Sequence, residues 1–177
     1  MRQYTASSSL VEINGKTIHS ILDAIDDKFT AEYILKKFGF ENLEADKWYN
    51  QQAFLNAFKE ISKYLGDGTL FKIGYAIPNN AQFPTNIKNV HEALYSIDIA
   101  YHLNHRNGEI GFYKYKKLGE KYGKMICSNP YPDNFDRGII MSIIKKYSNK
   151  TTGRVIIDQS KLTRSRGGQL TTFIISW

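Results

Sequence analysis

The sequence predicts an α+β fold, with an N-terminal helical layer packed on a C-terminal antiparallel sheet of about four strands with one intervening helix. Three observations carry this. Through about the first two thirds of the chain, apolar residues recur at offsets of three and four, the helical period. After Asn107 and Gly108 they recur at offsets of two, the strand period, broken once by a helical run from Phe135 to Tyr147. With 177 residues, 42% of them hydrophobic, the chain can build a core without disulfides.

Taken in order, Thr17 to Ile25 sets Ile18, Ile21, Leu22 and Ile25 on one helical face. Thr30 is expected to cap a second helix running through Phe38, with Gly39 as its left-handed end. A third helix, Gln51 to Leu65, aligns Phe54, Phe58, Ile61 and Leu65 and stops at Gly66. A short helix from Thr69 to Ala76 is expected to end before Pro78, which has no N–H and clashes with the preceding turn. The strongest run, Ile87, Val90, Leu94, Ile97 and Tyr101, makes a central helix. In the strand that follows, Tyr113 and Tyr115 share one face, and Phe112, Lys114 and Lys116 the other. A turn at Gly119 leads to a second strand, Tyr122 to Ser128. Asn129-Pro130-Tyr131-Pro132 breaks the pattern, and Asp133 or Asn134 is expected to cap the intervening helix. Strands over Arg154 to Asp158 and Leu170 to Trp177 complete the sheet, with no linker to divide residues 1–177 into more than one domain.

Composition narrows the function classes. The 23% of charged residues and the balanced apolar content exclude a disordered tail or fibre. A single cysteine, Cys127, and an N-terminus without a signal-peptide core imply a cytoplasmic protein, and no apolar run approaches membrane-spanning length. The net charge of +7 is compatible with an anionic partner and equally with a merely soluble surface.

Few motifs carry chemistry. His102 and His105 have a spacing at which two imidazoles can share a metal, with Glu109 and Cys127 as further donors. Two histidines without a second tight pair do not complete a tetrahedral site, so helix-end roles need less assumption and no metal site is assigned. Cys127 reads as a packing residue. Arg164-Ser165-Arg166-Gly167-Gly168 lacks the Gly-Lys-Ser/Thr ending of a P-loop and reads as a basic turn. Tyrosines and lysines alternate from Tyr113 to Lys117, as in binders of single-stranded nucleic acid, and the basic set would include Lys114, Lys116, Lys117, Lys121, Lys124, Arg164 and Arg166. The alternation instead favours tyrosines lining a cavity while the lysines are solvated.

Together these segments resemble a known group. Ser96 through Arg106, Gly108 through Tyr113, Met125 through Pro132 and Phe135-Asp136-Arg137-Gly138 are similar to bacterial sensory domains of the superfamily that includes haem nitric-oxide sensors, the 4-vinyl-reductase domain and Golgi transport subunits. Glu12 through Lys16, Lys47 through Phe54 and the closing Arg164 through Gly168 extend the resemblance over nearly the whole chain. It implies a helical layer on an antiparallel sheet and an input module of the kind joined to histidine kinases or nucleotide cyclases. The pattern's cysteines are replaced here by Asp133, Thr163 and Thr171, which removes the soft ligands zinc prefers, and the Tyr-x-Ser-x-Arg signature of the haem sensors is absent.

The resulting expectation is a small-molecule-binding sensory domain, more a binder than an enzyme. The ligand would be small and hydrophobic or aromatic, bound by Tyr101, His102, His105, Phe112, Tyr113, Tyr115, Met125, Cys127 and Arg137. No cofactor is expected, with haem as the lesser alternative. Because no output domain follows Trp177, signalling is expected through a partner protein or a homodimer, without a membrane; a nucleic-acid-binding module is the alternative function.

Overall fold

The computed structural model describes residues 1–148 and 152–177. The chain begins with strand β1 (Glu12–Asn14) and helices α1 (Gly15–Ala24) and α2 (Lys28–Lys37). There follow β2 (Trp48–Asn50), α3 (Gln51–Leu65), α4 (Asp67–Asn80), α5 (Val90–Leu103) and β3 (His105–Arg106). The remainder is β4 (Phe112–Gly119), β5 (Tyr122–Ser128), α6 (Asp133–Tyr147), β6 (Arg154–Ile157), a 3₁₀ turn (Arg164–Arg166) and β7 (Thr171–Ser176). The predicted α+β class and the four-stranded C-terminal sheet, interrupted by one helix, are both present. Its strand order is β4-β5-β7-β6, antiparallel throughout.

Capping explains where the helices start. Asn14, Asn50 and Asn89 each accept a backbone N–H in the first turn of α1, α3 and α5, so α5 begins at Val90 and leaves Ile87 outside it. Asp27, not Thr30, caps α2 by accepting the Thr30 N–H at 3.1 Å, which starts that helix before Thr30. The expected cap of α6 is also corrected. Pro132 stands at the cap position with no side-chain bond, because the Asp133 carboxylate is drawn instead to Arg164 at 2.8 Å.

α4 departs most from expectation, running straight through Pro78 to Asn80. Proline there forfeits one amide bond near the helix end, and Ala81 N–H still reaches Ile77 O at 2.9 Å. Packing against α6 offsets that loss. Gly74 lies on the Phe135 carbonyl and Gly138 on the Phe71 carbonyl, and a Cβ at either position would overlap backbone. The two helices therefore touch main chain to main chain.

The small sheet β2-β1-β3 is absent from the sequence expectation, since strands of three and two residues are too short to show a period. It has a positional consequence: pairing of Ile13 with His105 fixes the end of α5 against the N-terminal segment. In the larger sheet Tyr113, Tyr115, Met125, Cys127, Val155, Phe173 and Ile175 are all buried and face the helices, as the alternation predicts for the tyrosines. Phe112, Lys114 and Lys116 face out.

Candidate functional site

His105 is buried where α5 gives way to β3, and its two ring nitrogens have defined roles. Nδ1 lies 2.8 Å from the Tyr101 carbonyl, a pure acceptor, so Nδ1 carries the proton and donates. Nε2 then presents its lone pair and accepts from the Tyr131 hydroxyl at 2.6 Å. Burial lowers the imidazole pKa to about 4, with the bond to Tyr101 opposing the shift, so the ring is neutral at physiological pH.

Around this imidazole the fold assembles an aromatic chamber. Thr17 comes from α1, Ile77 from α4, Ile97 and Tyr101 from α5, Tyr113 from β4, and Phe135 and Ile139 from α6, with Phe83, Asn104 and Tyr131 from the connecting segments. The Tyr101 ring centroid is 4.5 Å from that of His105 and 5.1 Å from that of Tyr113. Tyr101 O–H donates to Ile110 O at 2.5 Å. Burial pushes the phenols of Tyr101, Tyr113 and Tyr131 well up, so all three are neutral donors. The chamber encloses about 30 Å³, about one water's share of liquid volume.

Behind Tyr113 lies a buried ionic cluster. Tyr113 O–H donates to Asp136 Oδ1 at 2.5 Å, and Asp136 Oδ2 accepts from Arg164 at 2.5 Å and from Asn129 at 3.1 Å. Arg164 also meets Asp133 at 2.8 Å and the Asn129 carbonyl at 2.7 Å. Burial pushes the Asp136 carboxyl up, and the Arg164 cation and the Tyr113 and Asn129 donors pull it back toward the anion. On the other side of Tyr131, Gln51 donates to its hydroxyl at 3.3 Å, while Gln51 Oε1 is a fully buried acceptor with no partner among the described residues. Such an atom is suited to a donor from a water or a small ligand.

Of the sequence-stated site residues, the structure brings Tyr101, His105 and Tyr113 together at the chamber. His102 lies on the solvent side of α5, its side chain 53% exposed and its Nδ1 donating to Asp98 O at 2.9 Å. Phe112 faces out from the sheet, and Tyr115 is bonded to His91 at 2.8 Å, outside the chamber lining. Met125 and Cys127 are wholly buried core residues, and burial pushes the Cys127 thiol well up. Arg137 is exposed, donating to Val155 O at 3.0 Å. Among the described residues no group of three His, Cys, Asp or Glu could hold a metal ion.

The basic turn is corrected: Arg164 is buried at the ionic cluster and so is removed from the basic nucleic-acid set. Asp136, Asn129, Gln51 and Tyr131 were not in the sequence's site set. The one available signal was that Asn, Tyr and Asp cluster at a proline-broken segment, where side chains rather than backbone must satisfy polar groups.

Comparison with solved structures identifies the fold. An H-NOX protein from S. oneidensis in the Fe(II)NO ligation state superposes with a TM-score of 0.70 at 11% identity, covering 93% of this chain and 98% of that one. The fold is that of the H-NOX domain. An Fe(II) unliganded H-NOX protein from K. algicida gives 0.63 at 16% identity, over 93% and 96% of the two chains. A structure described as modulating heme redox potential through protein-induced porphyrin distortion gives 0.64 at 14%, over 92% and 97%. No family model matches the chain, and no curated protein matches it. The two H-NOX structures are described in Fe(II) states and the third by its heme, which overturns the expectation of a domain without a cofactor. No helix among the described residues is long and apolar enough to cross a membrane.

Proposed function

We propose that the chain is a small-molecule-binding sensory domain with haem as its cofactor and His105 as the residue that holds the iron. The observation that carries this is the state of His105: a buried, neutral imidazole whose Nδ1–H is fixed by a carbonyl and whose Nε2 lone pair points into an aromatic chamber. A carbonyl on the far nitrogen is the arrangement that orients ligating histidines. The H-NOX fold supports the reading.

Haem fits the donor chemistry here, and the chamber as packed is too small for it. At about 30 Å³ it is far below the volume of a cofactor pocket, roughly 300–1,000 Å³. His105 Nε2, which would hold the iron, is bonded to Tyr131 O–H in the packed chamber, so haem would have to take the place of that bond. When bound, haem supplies an iron on which a diatomic gas can be held. The protein's part is to fix the His105 ring through Tyr101 and to exclude water with Ile97, Phe135 and Ile139. Output passes to a partner protein or through self-association.

Haemin titration with absorbance detection tests the proposal. One equivalent per chain and a Soret band are expected in the wild type and in His102→Ala, with the band lost in His105→Ala. A wild type that takes up no haemin, or a band indifferent to His105, would overturn the assignment.

A further inference from the structure

The four-stranded sheet turns one face to the helices and leaves the other partly exposed, with the segment from Lys161 to Leu170 lying beside Ile126 and the buried Thr172. One cross-strand row on this outer face reads Lys116, Lys124, Ile174, Ile156 from β4 to β6, and the next reads Lys114, Ile126, Thr172. The lysines thus sit on β4 and β5, and the isoleucines run from β5 through β7 to β6, with Arg154 at the start of β6. Ile156 is 40% exposed, and the segment after β6 adds Leu162 at 60% and Leu170 at 42%. With Ile126 and Thr172, these two leucines line an apolar groove of about 420 Å³. No outward-facing strand residue is a carboxylate, and Asp158, just past β6, is held by Ser160.

Each sheet edge, by contrast, has a backbone group taken by a side chain. At β4 the Asp98 carboxylate accepts the Tyr113 N–H at 2.7 Å, and at β6 the Arg137 guanidinium donates to Val155 O at 3.0 Å. These side chains take the backbone groups an added strand would pair with. These side chains interrupt strand addition at the edges, whereas the outer face offers side chains to a partner. A second copy of the same face would set lysines mainly against lysines or against Arg154, with Asp158, already held by Ser160, as the carboxylate beside the strands.

We propose that this outer face docks an amphipathic helix of a partner protein. Its apolar stripe would lie on Ile126, Ile156 and Ile174, and its carboxylates would face Lys114, Lys116 and Lys124. Covering a sheet face with a helix's apolar stripe is the same packing that closes the inner face. Opposite charge at one side fixes the helix's orientation. The inference concerns the opposite side of the sheet from the chamber and does not rest on haem binding.

The test uses the whole chain and four labelled probes: a leucine-striped helical peptide flanked by glutamates, its lysine counterpart, single-stranded DNA, and phosphatidylserine vesicles. Binding of the glutamate peptide alone is expected. It should weaken at least about tenfold in the K114E/K116E/K124E variant, and also in Ile156→Ser, with circular dichroism and thermal midpoint unchanged in both. Failure to bind the glutamate peptide, equal binding by the triple variant, or preferential capture of DNA or vesicles would overturn the proposal.

Discussion

Two histidines three residues apart have opposite fates. His102 and His105 look alike in the sequence, yet one is solvated and the other buried. The difference arises because the helix ends at Leu103, so the chain turns between them and β3 pairs His105 with Ile13. Burial gives His105 a measurable signature. Its pKa falls from an ordinary 6.5 to about 4 in the folded chain, so between these values the unfolded state binds the extra proton. Stability contributed by the neutral ring is fully present above about pH 6.5 and is lost as pH falls toward 4, where the loss levels off. The full span corresponds to on the order of 3 kcal/mol. Urea denaturation from pH 7 to 4.5 should show a steeper loss in the wild type than in His105→Gln. Parallel curves would refute neutral burial.

At the scale of elements, most helices and strands follow from apolar period and capping. α3 and β5 lie where the sequence places them, because a strong apolar stripe or alternation is bounded by Gly66 for one and by Gly119 and Pro130 for the other. α4 does not, because its extent is set by what it packs against. Gly74→Ala should force α4 off the Phe135 backbone and destabilise the fold by about 1–3 kcal/mol. Gly68→Ala lies in the same helix with open space around it and should stabilise by about 0.4–1 kcal/mol. Urea midpoints that move the same way for both would show that helix propensity, not the close approach, governs α4.

Across the whole molecule, the Arg164 cluster ties together segments distant in sequence. The guanidinium joins the 3₁₀ turn to the Asn129 segment and to the first turn of α6, and Tyr113 extends the link to β4. Arg164→Met would strand Asp133 and Asp136 without their cation in a buried site. Breaking a buried pair in this way costs about 3–5 kcal/mol, so the unfolding midpoint should fall sharply. Adding Asp136→Asn should restore part of the loss, because the carboxylate charge is then removed as well. A single variant as stable as the wild type would show that the cluster is hydrated and unimportant.

The sequence by itself determined the fold class, the inward face of β4 and the set of aromatic side chains available for a chamber, because those depend on periodicity along a local segment. Tyr101 and Tyr113 were legible for that reason. The tertiary structure alone decided which histidine turns inward, that Arg164 is a core residue and not a surface cation, and that Gln51 and Tyr131 meet at His105. Those outcomes depend on contacts between residues far apart in sequence, 80 positions for Gln51 and Tyr131 and more for Ile13 and His105. A polar residue's sequence neighbours do not reveal the distant partner that makes its burial affordable.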